Sequence, residues 1–171
     1  MQALARVATH KPSWVVLLSE KLNRLSFPSL TQGADKLSEG KQYADVAAFC
    51  DFAAGGDENC LAVRRGNRVQ IIASWREPDT MKAVGRFIQL FREQELRPEQ
   101  ISADEGGLGM VMCDRLAESG WAVNRVNNGS PADKPEAYAN KGAEIWFEGR
   151  VKIERGEIIL PNDPELFTYC L

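Results

Sequence analysis

The sequence predicts an α/β domain built on a mixed β-sheet with helices on its faces. Three observations carry that reading. An opening set of strand-length apolar runs reads as an antiparallel meander, helical and strand-like segments alternate after it, and several of these runs stop at glycines. The resulting order is β-β-β-α-β-α-β-α-β, which needs both hairpins and crossover connections.

The arm over residues 1–42 reads differently from the rest. Trp14, Leu17, Leu18, Lys21, Leu22 and Leu25 trace one face of a short helix with Ser13 as its N-cap, and Ser26 to Gly40 is a Ser-, Pro- and Gly-rich linker. The domain follows over 43–171. Ala44–Ala53 is an apolar strand broken by Gly55, Gly56 and Asp57. Cys60–Arg64 and Arg68–Trp75 are strands joined by Arg65-Gly66-Asn67, a good hairpin turn. Asp79 or Thr80 caps a helix with Met81, Val84, Phe87, Ile88 and Phe91 at helical spacing, ended by Leu96-Arg97-Pro98.

A short strand, Gln100–Ala103, delivers Asp104. Gly106, Gly107 and Gly109 open a second helix with Leu108, Val111, Met112 and Leu116 on its buried face, and Gly120 ends it. Trp121–Val126 is the next strand and Asn127-Asn128-Gly129-Ser130-Pro131 a loop. Pro135 to Arg150 is helical in composition, with Tyr138, Ile145 and Trp146 inward. Glu157–Leu160 is a last short strand before Pro161-Asn162-Asp163-Pro164.

Bulk properties narrow the class. At 171 residues, with 44% hydrophobic and 26% charged side chains, the chain can bury one sizeable core. A formal net charge of −3 argues against a generally basic nucleic-acid coat but allows a local basic rim. Cys50, Cys60, Cys113 and Cys170 form no CxxC pair and have no histidines at zinc spacing, so they read as small buried hydrophobes in a reducing, cytoplasmic setting. No apolar run approaches the ~20 residues of a membrane span, and Trp14–Leu18 is too short, without a cleavage pattern, for a signal peptide.

Two aspartates stand out. Asp51 in FCDFAAGGD and Asp104 in ISADEGGLG each end an apolar run just before glycines, at strand mouths where α/β sheets keep their chemistry. Two such carboxylates can hold divalent metal ions. The plainer readings are a turn-capping aspartate at 51 and a helix N-cap at 104. Asp57 and Glu58 read as turn residues. The glycines at 106, 107 and 109 do not give GxGxxG, which leaves tight β-to-α turning.

The runs DFAAGGDENCLAVRRGNRV, ISADEGGLGMVMCDRLAESGWAVNRVNNG, YANKGAEIWF and GEIILPNDPEL, in that order, resemble the nuclease domain of tailed-phage terminase large subunits. The resemblance covers Tyr43 to Leu166. It implies an RNase H-like fold, a mixed β-sheet flanked by helices, and metal-dependent cleavage of concatemeric double-stranded DNA during genome packaging. It further implies Asp51 and Asp104 as catalytic metal ligands, with Mg²⁺ or Mn²⁺ as cofactor in a two-ion site. Its expected partners are DNA, an ATPase domain, a small terminase subunit or a portal, in the cytoplasm of a bacterial host.

The chain departs from that family's pattern in two respects. It carries no GxxxxGK[ST] phosphate loop, and it ends at Leu171 before the aspartate-alanine motif that supplies the family's third acidic residue. Asp163 and Glu144 are the available substitutes. An inactive prophage remnant that keeps the fold, and a Holliday-junction resolvase of the same superfamily, are the alternative readings. In the YANKGAEIW helix, Asn140, Lys141 and Glu144 read equally as solvated face or site-facing, whereas Trp146 and Tyr138 read as core. Arg64, Arg65 and Arg68 cluster at the hairpin, where they could meet DNA phosphates or simply be exposed hairpin charges.

Overall fold

The computed structural model describes residues 46–161. The arm over 1–42, together with His10, Asp163 and Cys170, lies outside the described residues. Within them the strands are β1 (Val46–Asp51), β2 (Asn59–Arg65), β3 (Arg68–Trp75), β4 (Ile101–Asp104) and β5 (Asn124–Val126). They form one sheet in the order β3-β2-β1-β4-β5. β1 to β3 make an antiparallel meander, and β4 and β5 add in parallel to β1.

This topology follows from the burial pattern. Ala47, Ala48, Phe49 and Cys50 of β1 are all essentially inaccessible, so the strand has no solvent face and must lie inside the sheet. Alternation then divides its side chains. Ala48 and Cys50 join Leu61, Val63, Ile101 and Ala103 in a core on one face, while Ala47 and Phe49 join Cys60, Ala62 and Val126 on the other. Gly66, at φ 59°, makes the β2–β3 hairpin turn.

Three helices cover these faces: α1 (Thr80–Glu93), α2 (Leu108–Glu118) and α3 (Lys141–Glu154). Asp79 caps α1, its Oδ1 accepting from the Met81 and Lys82 amides at 2.9 and 3.2 Å. α1 and α2 pack on the first core through Phe87, Phe91, Met112 and Leu116, and α3 contributes Ile145 to the second. No described helix is long and apolar enough to cross a membrane.

Several boundaries differ from the sequence reading. Ala53 leaves the first strand because its amide is taken by the Asn59 Oδ1, at 3.1 Å. The strand expected over Trp121–Val126 is only three residues, Asn124–Val126, because its partner β4 is itself just four residues long. The expected helix from Pro135 starts at Lys141, where Asn140 supplies the N-cap oxygen to the Ala143 amide at 2.8 Å. Glu157–Leu160 yields one isolated bridge, Ile159 to Arg68. The buried stripe of α2 runs through Gly109, Met112, Cys113 and Leu116, leaving Val111 exposed, and Met81 of α1 is exposed as well.

Phe87 is fully buried between Phe52, Trp75 and Phe91, with ring centroids at 5.1, 4.7 and 6.0 Å. Phe87→Ala is therefore expected to cost about 3–5 kcal/mol, read as a lower urea midpoint with unchanged slope.

Candidate active site

Asp51 and Asp104 are brought together by strand register. β1 and β4 run parallel with Cys50 opposite Ala103, so one further residue puts Asp51 beside Asp104 at the carboxyl ends of neighbouring strands. Both side chains then leave the sheet on the same face, since Phe49 and Ser102, two residues back, are also paired. That face is the one covered by α3. Both aspartates are partly exposed.

Asp104 is held at both carboxylate oxygens. The Gly106 amide donates to its Oδ1 at 2.8 Å and the Asn128 Nδ2 donates to its Oδ2 at 2.8 Å. It does not cap α2; the N-cap position belongs to Gly107, at φ 53°. The backbone turns so tightly here that a Cβ on Gly109 would lie 1.9 Å from the Asp104 carbonyl oxygen. The three glycines thus serve the β-to-α turn.

Asn128 was legible in the sequence only as part of a loop. It follows β5, and β5 pairs with β4 so that Val126 lies opposite Asp104. The Glu105 amide donates to the Val126 carbonyl at 2.9 Å, and the Gly142 amide, at the start of α3, donates to the Asn128 carbonyl at 2.9 Å. The loop is therefore clamped between strand ends and helix. The Asn128 Oδ1 is buried and has no hydrogen-bond partner among the described residues. An amide oxygen in that state costs roughly 1–3 kcal/mol.

Glu144 is buried on α3, where its Oε2 accepts from the Asp133 amide at 2.8 Å and from the Lys141 Nζ at 3.0 Å. Lys141 also pairs with Asp133 at 2.7 Å. No group of three or more His, Cys, Asp or Glu side chains able to hold an ion occurs among the described residues. Asp163 lies outside them. Glu58, read as a turn residue, pairs with Arg76 at 3.7 Å.

The cysteines behave as buried hydrophobes. Burial, reinforced by the charges of Asp51 and Glu58, pushes the Cys60 thiol up to about 12. Burial likewise raises Cys50 well above its ordinary value and Cys113 to about 11. All three are buried free thiols packed among the apolar side chains of the two cores.

The hairpin arginines sit at the far end of the sheet. Arg65 pairs with Val46 and Cys60 with Asp51, so the turn lies five residues, roughly 17 Å, from the aspartates. The Arg64 side chain is buried and donates to the Gly66 carbonyl. Trp146 packs partly buried against the second core, and Tyr138 stacks on Phe147 at 6.1 Å.

Solved structures share this architecture. The large terminase nuclease from thermophilic phage G20c, crystallised with bound zinc, superposes with a TM-score of 0.53 at 15% identity, over 70% of this chain and 65% of that one. A mutant nuclease domain of the large terminase subunit of bacterial virus Sf6, with manganese and beta-thujaplicinol, gives 0.52 at 16% identity, over 74% and 69%. The chain has the RNase H-like fold of the phage large-terminase nucleases. It spans just under two thirds of the G20c nuclease. No protein-family model and no curated protein matches the sequence.

Within this terminase-nuclease fold, the Gly109 contact fixes where α2 leaves β4. Gly109→Ala is expected to displace Asp104 and destabilise the domain by about 1–3 kcal/mol or more. A thermal melt reads the loss, and Gly85→Ala is the control. A Cβ on Gly85, mid-way along α1, would meet no atom within 4 Å, so that change should stabilise by about 0.5–1 kcal/mol.

Proposed function

We propose that this chain is the divalent-metal-dependent endonuclease domain of a terminase-like protein, cleaving double-stranded DNA during phage genome packaging in the bacterial cytoplasm. The observation that carries the reading is the register of β1 and β4, which sets Asp51 beside Asp104 at the sheet's carboxyl edge. The shared fold supports it, since both neighbours are terminase nucleases and one of them holds manganese.

The residues present fit a hard divalent ion. Two carboxylates and a buried, unpartnered amide oxygen offer oxygen donors, a set that suits Mg²⁺ or Mn²⁺. Such an ion, when bound, polarises the phosphodiester and lowers the pKa of its water. Asp51 and Asp104 would hold it. The Gly106 amide and the Asn128 Nδ2 fix the Asp104 carboxylate in advance, so little reorganisation is needed when substrate arrives. α1 and α2 leave the sheet directly after the carboxyl ends of β3 and β4, and α3 begins against the Asn128 loop. α1 and α2 therefore begin on the same edge of the sheet as the two aspartates.

Asp51→Asn and Asp104→Asn keep the shape and remove the charge. Each is expected to lower Mn²⁺-dependent cleavage of linear duplex DNA by at least roughly a hundredfold, the loss that even an outer partner of a metal ligand can cause. The melting temperature of Asp51→Asn should stay near the wild-type value, whereas Asp104→Asn, left with one acceptor for two donors, should melt lower. Undiminished cleavage by either variant would reject the assignment.

A further inference from the structure

We infer that Asn128 supplies a third protein oxygen to the divalent ion held by Asp51 and Asp104, an inference that rests on the metal-site reading above. Three observations place it there. Its Nδ2 is committed to Asp104 at 2.8 Å, which identifies the other amide atom as the oxygen and puts that oxygen next to the Asp104 carboxylate. The Oδ1 is buried and finds no donor among the described residues. The backbone of the residue is held in place, because its own carbonyl accepts from the Gly142 amide at the start of α3, at 2.9 Å.

The chemistry of that corner is one-sided. Asp51 and Asp104 present acceptors, and the amide adds another with no proton to share. A cation satisfies all three at once, and Mg²⁺ and Mn²⁺ accept neutral amide oxygens alongside carboxylates. Replacing a third carboxylate by an amide lowers the charge of the donor set by one, so the ion keeps more of its Lewis acidity while being held less tightly. On α3, Glu144 is already committed to Lys141 and the Asp133 amide, and Glu148 to Lys134 and Tyr138. The Asn128 carboxamide is thus the donor that the fold leaves available.

The test is titration of the full chain with Mn²⁺ alone, by calorimetry and by electron paramagnetic resonance. Asn128→Ala should weaken Mn²⁺ binding by roughly ten- to a hundredfold, whereas Asn128→Asp should bind at least as tightly as wild type. Electron–nuclear double resonance on Mn²⁺-loaded protein with ¹³Cγ-labelled asparagine should show a carbon coupling that Asn128→Ala abolishes. A merely structural Asn128 would instead lower the ion-free melting temperature and leave Mn²⁺ affinity unchanged. Wild-type affinity in Asn128→Ala, lost binding in Asn128→Asp, or no carbon coupling overturns the inference while Asp51 and Asp104 remain ligands. If the wild-type chain takes up no Mn²⁺, the metal reading itself falls, and this inference with it.

Discussion

β1 is the strand on which the other elements depend. It pairs antiparallel with β2 on one edge and parallel with β4 on the other, and its central side chains are buried on both faces. A strand in that position has no freedom of register, because a one-residue slip would exchange the two cores and drive Ala48 and Cys50 into the packing of Phe49. The hydrophobic effect thus sets the alignment, and the alignment sets where the two aspartates stand. Asp51 is the first residue of β1 past the buried run, and the same register that buries Cys50 against Ala103 leaves Asp51 and Asp104 together at the rim.

A rim of this kind needs reinforcement, because a pair of adjacent carboxylates repels itself and sits on chain segments about to leave the sheet. The reinforcement comes from neutral donors. Backbone and side-chain amides bind Asp104, and the Asn128 loop that provides one of them is fastened to α3. Lys141, at the start of α3, is held by Asp133 and Glu144. Neutral donors orient a carboxylate without neutralising it.

The fold was largely legible in the sequence where local chemistry dictates structure. Gly66 between two β-branched and apolar runs announced a hairpin, and Asp79 before an amphipathic stretch announced a helix. What was not legible depended on pairing. The length of β5 is limited by β4, and nothing in Trp121–Val126 itself records that limit. The start of α3 was misread because Pro135 to Tyr138 has helical composition. The Ala137 and Tyr138 amides instead close a turn onto the Lys134 carbonyl, and Asn140 competes as N-cap. The hairpin arginines followed the same rule. Antiparallel pairing sends the β2–β3 turn away from Asp51, so residues close in sequence to the site lie far from it. Asp51 and Asp104 stand out in the sequence because each marks a strand end, whereas the contact of Asn128 with Asp104 emerges only once β5 is known to lie beside β4.

The accuracy of the site therefore comes from close backbone approach more than from any single hydrogen bond. Gly109 has no side chain, and any Cβ there would occupy the space of the Asp104 carbonyl. α2 can consequently begin directly over the end of β4, with the Gly109 amide donating to the Gly106 carbonyl at 2.9 Å. This close approach also explains the shift in the buried face of α2. With Gly109 against the strand end, the stripe proceeds through Met112, Cys113 and Leu116, and Val111 turns to solvent. A sequence pattern that counts only apolar side chains overlooks a glycine as a contact residue. Here it marks the position where helix and strand touch, and hence the position that aims Asp104.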